Sequence, residues 1–313
     1  MSSFPVNVDN MFMVDVPLNW SRQSSPDNHL LLGKLNGEVI VIKREAAHIF
    51  RGAELDEYLF LLRGNAGRMQ QYNDLDMSSV EPFSTPYYNG KIMTYAFYFN
   101  GIASEITLFA FRTEAYFYIL MMQSPVGGPM ETLNEYFDIV NSFRIIDENA
   151  EPPQKAVGDM KFVTAYDDLR EFYIIAPDNW DSIIEYYCTD TDYSIFISSG
   201  DRNQVAGVCK LVNFRKSDGY RLAETTRAVR EAFFGSVSVG EYTLLEINGM
   251  KAMQCEEEYT PKSLTLKYLN TVVEAEEFFY LISCWTPPGF YARHAELFRY
   301  MTNSFALCKC LFV

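Results

Sequence analysis

The chain has 313 residues, of which 48% are hydrophobic and 15% aromatic, and its formal net charge is −15. That length corresponds to about two domains, and the apolar content lets each bury a core, which argues against a disordered chain. The negative charge and the lack of any basic block argue against nucleic acid and anionic membrane surfaces as partners, since both attract clustered Lys and Arg.

Targeting features and cysteines indicate a soluble, cytoplasmic protein. The opening residues MSSFPVNVDNMFMVDV contain neither a basic stretch nor a continuous apolar stretch, so no signal peptide is predicted. No window reaches the ~18 apolar residues of a membrane span. All six cysteines lie in the second half, which favours free thiols in a reducing compartment. They are Cys188, Cys209, Cys255, Cys284, Cys308 and Cys310. The last two are interpreted as thiols of a terminal strand, not as metal ligands.

The first half opens with strand-like segments followed by a helix. Met11–Val16 is a short apolar run stopped by proline, and EVIVIKRE is a second strand region. AELDEYLFLLRGNAGRM then predicts a helix, because its apolar residues recur at helical spacing. These residues are Leu55, Tyr58, Leu59 and Leu62.

A meander and a closing helix complete the first half. The runs KIMTYAFYF, SEITLFAF and YFYILMMQ read as strands, and Asn89-Gly90 and Asn100-Gly101 are typical hairpin turns. METLNEYFDIVNSF has the apolar spacing of a helix. The polar, proline-containing stretch DENAEPPQKAVGD that follows has the composition of a linker.

The second half repeats this order. Phe172–Ala176 and VCKLVNFRK predict strands, and YRLAETTRAVREAFFG predicts a helix that stops at Gly235. Asn248-Gly249 predicts a turn among the strand-like runs KAMQCEEEY, SLTLKYL and FFYLISCW, and AELFRYMTNSF predicts the closing helix.

Four short motifs recur in order and at nearly constant spacing, which indicates an internal duplication. The matches are Phe12, Pro17, Asn19 and Trp20 with Phe172, Pro177, Asn179 and Trp180 (160 residues apart), Asn89-Gly90 with Asn248-Gly249 (159), Phe117-Tyr118 with Phe279-Tyr280 (162), and Asn141-Ser142-Phe143 with Asn303-Ser304-Phe305 (162). A period this long makes each copy a domain, not one unit of a solenoid. The predicted division is a first copy at 1–147, a linker at 148–159 and a second copy at 160–313.

The predicted fold class is α+β, with two tandem α/β/α sandwiches that are each a curved antiparallel sheet with flanking helices. The order of strand, P-x-N-W, helix, N-G turn, meander and closing N-S-F helix resembles the PsbP-like superfamily. That superfamily includes PsbP of photosystem II, a small Ran-binding nuclear-import factor, DcrB-type lipoproteins and the Eag chaperones of type VI secretion. The resemblance covers most of each half and is closest to the bacterial branch. It implies a non-enzymatic binding or chaperone role and brings no catalytic motif.

The sequence also lacks a constellation typical of catalysis or metal binding. His29, His48 and His294 have no paired metal spacing, and no hydrolase elbow or phosphate loop is present. Carboxylates cluster at Glu256–Glu258 and near Glu274; these could perform acid–base chemistry or hold Ca²⁺, but they are interpreted as a solvated strand face and a solvated turn. No catalytic residue, metal or cofactor is therefore predicted.

Positions that differ between the copies suggest a binding surface. Counted from the Asn-Gly pairs, the aromatic residues Tyr95, Phe97 and Phe99 fall opposite Gln254, Glu256 and Glu258. On the next strand, aligning ITLFAF with LTLKYL places Phe109 opposite Lys267. Strand parity predicts that the four aromatic residues share one sheet face, although a register slip of one residue would reverse this. An apolar face of this kind needs a cover, which would be the domain's own helix, the other domain or a partner.

Three functional hypotheses follow. The first is a binding, chaperone or adaptor protein that engages a protein partner through the apolar surface of the first domain, at Tyr95, Phe97, Phe99 and Phe109. The second is an enzyme or small-ligand carrier that uses a cleft between the domains. The third is a structural scaffold that forms a homodimer through an apolar contact.

Overall fold

The computed structural model describes residues 3–24, 29–35, 37–50, 53–68, 73–77, 80–99, 102–151, 155–182, 193–233, 238–260 and 265–308. The chain divides into two compact units, Met1–Gln154 and Lys155–Val313, here called the first and the second unit. The division falls inside the segment that the sequence predicts as a linker.

The first unit contains strands and helices in the following order. They are β1 (Ser3–Val8), β2 (Phe12–Pro17), β3 (Ser21–Gln23), β4 (Leu30–Gly33), β5 (Val39–Ala46), α1 (Leu55–Arg68), β6 (Asn73–Met77), β7 (Glu81–Ser84), β8 (Asn89–Phe99), β9 (Ile102–Arg112), β10 (Tyr116–Pro125), α2 (Met130–Ser142) and β11 (Arg144–Ile145).

The second unit repeats the series. Its elements are β12 (Phe162–Tyr166), β13 (Phe172–Pro177), β14 (Asp181–Ser182), β15 (Ile195–Ser198), β16 (Val205–Arg215), α3 (Leu222–Phe233), β17 (Ser238–Val239), β18 (Thr243–Ile247), β19 (Met250–Tyr259), β20 (Leu266–Glu274), β21 (Phe278–Thr286), α4 (Pro288–Asn303) and β22 (Ala306–Leu307).

Both units arrange their strands in the same order. In the first unit a large antiparallel sheet runs β3-β4-β5-β10-β9-β8-β6, with β7 also paired to β8, and a small sheet runs β1-β2-β11. In the second unit the corresponding orders are β14-β15-β16-β21-β20-β19-β17, with β18 on β19, and β12-β13-β22. The predicted fold of two α+β sandwiches is therefore confirmed, and the shared strand order is the one that a duplication would produce.

Each large sheet is covered on both faces. In the first unit, α2 and the small sheet lie on one face and enclose a core that includes Phe12, Phe109, Tyr118, Tyr136 and Phe143. Helix α1 lies on the other face, where Tyr58 stacks on Phe117 with ring centroids 4.0 Å apart. Because successive strand residues point to opposite faces and both faces are covered, β10 is apolar on both sides and begins with a continuous apolar run, YFYILMM.

The recurring motifs connect the closing helix to the opening strand in each unit. The Ser142 hydroxyl accepts a hydrogen bond from the Asp15 backbone N–H at 2.8 Å, and the Ser304 hydroxyl accepts one from the Ile175 N–H at 2.7 Å. The phenylalanine that follows each serine is buried in the core of its unit. The N-S-F motif therefore recurs because it docks the closing helix on the sheet.

We expect Ser142→Ala and Ser304→Ala each to lower the free energy of unfolding of their own unit by about 1–2 kcal/mol, since a half-buried backbone N–H loses its acceptor. Urea denaturation monitored by peptide-resolved hydrogen exchange separates the two units. Ser217→Ala, an exposed serine in the second unit, is the control and should change stability by less than about 0.5 kcal/mol. Unequal losses for Ser142 and Ser304 would contradict equivalent roles.

One of the predicted Asn-Gly turns is confirmed and one is wrong. Asn248 and Gly249 form a tight turn with φ values of 48° and 82°. Asn89 and Gly90, in contrast, begin strand β8, and the preceding turn spans residues 85–88. Gly90 is required for close approach, because a Cβ there would lie 2.3 Å from the Ala110 carbonyl oxygen. Asn100-Gly101 lies outside the described residues.

A buried arginine fixes the end of the first unit. Arg44 donates hydrogen bonds to the carbonyl oxygens of Glu148, at 3.0 Å, and Ala150, at 2.5 Å. Its guanidinium also lies over the Tyr116 ring, 4.3 Å from the centroid. The first residues of the predicted linker are thus packed on the sheet of the first unit.

Within the described residues, no helix combines the length and the apolar content that crossing a lipid bilayer requires.

Candidate functional site

The four aromatic residues of the predicted surface do not share a face. Phe109 pairs with Ile92 across β8 and β9, and Tyr95 lies three positions beyond Ile92 on β8, so Tyr95 and Phe109 point to opposite sides of the sheet. Both side chains are buried. The assignment of all four residues to one face is therefore wrong. The side chains of Phe97 and Phe99 lie outside the described part of the chain, and partner binding by them stays a prediction.

The alignment of the two copies that was counted from the Asn-Gly pairs is also wrong. The matched residues Tyr118 and Tyr280 define the true register. Tyr95 pairs with Ile106, and Ile106 pairs with Gln123, which lies five residues after Tyr118. In the same way, Glu257 pairs with Tyr268, and Tyr268 pairs with Trp285, which lies five residues after Tyr280. Tyr95 therefore corresponds to Glu257, 162 residues later, and the 159-residue spacing of the Asn-Gly pairs shifts the alignment by three positions.

A buried network of charged and polar groups connects three parts of the first unit. Glu135 of α2 accepts hydrogen bonds from Asn19 Nδ2 at 2.7 Å and from Trp20 Nε1 at 2.9 Å. Lys34 Nζ lies 2.5 Å from Glu135 and 3.3 Å from Glu38. The buried ion network, as we name it, consists of Asn19, Trp20, Lys34, Glu38, Thr132 and Glu135. It joins the P-x-N-W turn, the β4–β5 loop and the first turns of α2.

The network keeps Glu135 ionised. Burial of Glu135 opposes ionisation, but the hydrogen bonds from Lys34, Asn19 and Trp20 outweigh that effect and hold the pKa of its carboxyl below the ordinary value. A buried, charge-assisted network of this kind has one favourable arrangement, so it restricts the movement of the three segments that it joins.

Large apolar side chains project from the segments that the network holds. Leu35 is fully exposed, and Leu18 and Met130 are each 69% exposed. Leu18 precedes Asn19, Leu35 follows Lys34, and Met130 lies two residues before Thr132, so each is next to a network member or one residue removed. Val126, half exposed, lies in the loop that leads into α2. We call Leu18, Leu35, Val126 and Met130 the apolar end of the first unit.

The second unit has a different surface in the same place. The backbone bond from Lys34 N–H to the Glu38 carbonyl corresponds to the bond from Ser199 N–H to the Gln204 carbonyl. Gly200 therefore replaces Leu35, and Asp178 replaces Leu18 in the repeated turn. Leu297 takes the position of Glu135 and is buried. The fold consequently requires neither the apolar end nor the ion network beneath it.

The second unit instead has a buried polar cluster beneath α3. The Glu257 carboxylate accepts hydrogen bonds from Asn270 Nδ2 at 2.8 Å and from Cys255 Sγ at 3.2 Å. Arg230 Nε of α3 lies 3.6 Å from the same carboxylate. We call Cys255, Glu257, Asn270 and Arg230 the Glu257 cluster. The sequence interpretation of Glu256–Glu258 as a solvated face is wrong for Glu257, which is 2% exposed.

The buried thiols of the second unit are poor nucleophiles. Burial, together with the Glu257 carboxylate, raises the pKa of the Cys255 thiol well above its ordinary value. Burial raises the pKa of Cys284 to about 12. Both thiols are therefore protonated at neutral pH. In the part of the chain that the structure describes, no group of His, Cys, Asp and Glu side chains is arranged to hold a metal ion.

Sequence reasoning did not find the ion network or the Glu257 cluster. The contacts from Glu135 to Asn19 and Trp20 span more than 100 residues of sequence, and no local pattern predicts contacts at that separation. One signal was available: once the closing helices are aligned at 162 residues, Glu135 falls opposite Leu297. A carboxylate that replaces a core leucine is a candidate for a buried polar role.

No family model and no curated protein matches the chain. Among solved structures it is similar to cyanobacterial PsbP (CyanoP) from Synechocystis sp., with 12% identity, a TM-score of 0.37 and coverage of 50% of this chain and 98% of that one. It is similar to LpqN, involved in cell envelope biogenesis, of Mycobacterium tuberculosis (13%, TM-score 0.34, coverage 47% and 91%). It is also similar to the immunity protein TplEi of T6SS from Pseudomonas aeruginosa (9%, TM-score 0.25, coverage 98% and 97%). These similarities concern the fold alone.

Proposed function

We propose that the protein is a non-enzymatic binding protein, of the adaptor or chaperone type, that engages a protein partner through the apolar end of the first unit. The observation that carries this proposal is the exposure of Leu18, Leu35 and Met130 on separate segments that one buried network holds together. Exposed apolar side chains grouped in this way are typical of protein interaction sites.

The ion network supports this proposal because it prepares the surface for binding. A loop that is already ordered loses little conformational entropy when a partner docks. The Leu35 loop is tight, since the Gly37 N–H donates to the Lys34 carbonyl at 3.1 Å. Gly37 has a φ of 88°, which residues other than glycine rarely adopt. Lys34, at the base of the loop, is bound to Glu135 and Glu38.

The second unit supports the proposal by contrast. It has the same strand order, yet it carries Asp178 and Gly200 where the first unit carries Leu18 and Leu35. Exposed leucines at these positions therefore contribute nothing that the fold requires. A partner contact explains their presence in one unit and not in the other.

We expect Leu35→Asp and Met130→Asp to weaken partner binding by at least about tenfold, because truncating or charging a central apolar contact commonly removes 2 kcal/mol or more. The partner is captured from the native cell with the wild-type chain and purified, and its affinity for each variant is then titrated. Both positions are exposed, so circular dichroism and the melting temperature should not change.

Leu169→Asp is the matched control, since Leu169 is 78% exposed in the second unit. It should bind the partner as the wild type does. Equal weakening by Leu169→Asp, or wild-type affinity of Leu35→Asp, would contradict the proposal. If the partner is a second copy of this chain, light scattering of the wild type will show a dimer. Conversion of that dimer to a monomer by Leu35→Asp would identify the apolar end as a homodimer contact.

A further inference from the structure

The second unit is polar at a buried position of the sheet where the first unit is apolar. Cross-strand pairing aligns Cys255, Asn270 and Ser283 on β19, β20 and β21. The corresponding residues of β8, β9 and β10 are Met93, Leu108 and Met121. The same fold thus accommodates an apolar row at this place, and burying three polar side chains there reduces stability unless each is fully hydrogen-bonded.

The polar row is not fully hydrogen-bonded within the described residues. Asn270 is 5% exposed and its Nδ2 donates to Glu257, whereas its Oδ1 has no hydrogen-bond donor among those residues. The Ser283 hydroxyl is buried and likewise has no partner among them. Because Oδ1 and Nδ2 belong to one amide group, the unpaired acceptor lies beside the Glu257 carboxylate. Leaving such an acceptor unpaired destabilises the fold.

The cation paired with Glu257 is Arg230 of α3, whose side chain is partly exposed. Arg230 Nε lies 3.6 Å from the carboxylate, and the Arg230 side chain is 26% exposed while that of Glu257 is 1% exposed. Arg230 also shares a hydrogen bond with the hydroxyl of Tyr242, which is itself exposed. The Tyr242 hydroxyl therefore gives Arg230 a second polar partner besides the Glu257 carboxylate.

The remaining groups favour a cation over an anion. Glu257 and Asn270 Oδ1 present hydrogen-bond acceptors, and the Cys255 thiol already donates to Glu257. A cation that carries several N–H donors matches these acceptors.

We propose that Glu257 and Asn270 form a binding site for a guanidinium or ammonium group, which enters by replacing Arg230. The carboxylate accepts one pair of N–H groups, and Asn270 Oδ1 accepts a further N–H, so the ligand supplies the donor that Oδ1 lacks among the described residues. The group can belong to a free small amine or to an Arg or Lys side chain of a peptide. This site is in the second unit and does not depend on the function proposed for the apolar end.

Isothermal titration calorimetry of the full chain tests this with two probes, agmatine and a blocked Gly-Arg-Gly tripeptide. We expect Arg230→Gln to tighten binding by about tenfold, since the internal competitor is removed. We expect Glu257→Gln to weaken binding by at least about tenfold, because the charged acceptor is lost. Glu258→Gln, an exposed neighbour on the opposite face of β19, is the control and should bind like the wild type.

The two probes distinguish the sources of the group. Binding of agmatine identifies a free cation as sufficient, and binding of the peptide alone identifies an Arg side chain presented by a protein. A tripeptide with citrulline in place of arginine should not bind, since it has the shape without the charge. Failure of both probes to bind the wild type and Arg230→Gln overturns the proposal, as does wild-type affinity of Glu257→Gln. If Glu257→Gln does not fold, the Arg230→Gln variant decides the outcome. Wild-type affinity of Arg230→Gln for both probes would show that the ligand does not replace Arg230, and would overturn the proposal.

Discussion

The Glu135→Ala variant is expected to lose about 3 kcal/mol of unfolding free energy in the first unit. Removing one member of a buried ion pair commonly costs about 3–5 kcal/mol. Lys34 keeps Glu38 as a partner and is 12% exposed, which places the effect at the lower end. Asn19 Nδ2 and Trp20 Nε1 lose their acceptor in the same substitution. Urea denaturation followed by peptide-resolved hydrogen exchange measures the loss and assigns it to the first unit.

Two variants control this experiment. Glu131→Ala removes an exposed carboxylate from the same helix and should change stability by less than about 0.5 kcal/mol. Glu135→Leu introduces the residue that the second unit has at this position, and it should also destabilise, because Asn19 Nδ2 and Trp20 Nε1 lose their acceptor. A Glu135→Ala variant as stable as Glu131→Ala would show that the ion network contributes nothing.

The same carboxyl makes stability depend on pH in a defined direction. Its pKa is lower in the folded state than in the unfolded chain, where Glu titrates near ~4.3. The stabilisation is therefore complete above about pH 4.3 and is lost as the pH falls through the folded-state value. Glu135→Gln should lose this acid dependence, so the difference in stability between wild type and variant should shrink on acidification. A constant difference would assign the effect to packing.

The Phe143→Ala and Phe305→Ala variants are each expected to lose about 3–5 kcal/mol from their own unit, the usual range for truncating a buried phenylalanine. Phe143 lies 5.1 Å from Phe12 between ring centroids, and Phe305 lies 5.9 Å from Phe172 and 5.2 Å from Tyr280. These rings join the closing helix to the opening strand, so truncation leaves a cavity at the junction of both.

Thermal and urea unfolding with peptide-resolved exchange measures both effects. Phe60→Ala is the control, because Phe60 is exposed on α1 and its removal should cost less than about 0.5 kcal/mol. We expect the two core variants to have similar losses, each confined to one unit. A large loss for Phe143 and a negligible loss for Phe305 would contradict an equivalent structural role for the repeated motif.

Local patterns predicted the main elements well. The helical spacing of Leu55, Tyr58 and Leu59 corresponds to α1, and the apolar runs of the meander correspond to strands of both units. The short edge strands, such as β3 and β14, were not predicted. They contain two or three largely exposed residues, so they lack the alternation of buried and exposed positions that identifies a strand.

The candidate site was predicted less well, and the reason is specific. The Asn-Gly pairs appeared equivalent, but Asn248-Gly249 adopts the positive φ values of a turn, whereas Gly90 lies in a strand against the Ala110 carbonyl. One dipeptide thus serves two physical purposes. Counting from it aligned Tyr95 with Gln254, although cross-strand pairing aligns Tyr95 with Glu257.

The amino-acid sequence by itself determined the helices, the principal strands and the duplication, because spacing, proline and the recurring P-x-N-W and N-S-F motifs act on neighbouring residues or repeat visibly. Only the tertiary structure decided the strand register, the face to which each side chain points and the partners of Glu135 and Glu257. Glu135 meets Asn19 across 116 positions of sequence, and such a contact exists only once the sheet and helix have packed. The burial that strengthens the interactions of these charges results from the same packing.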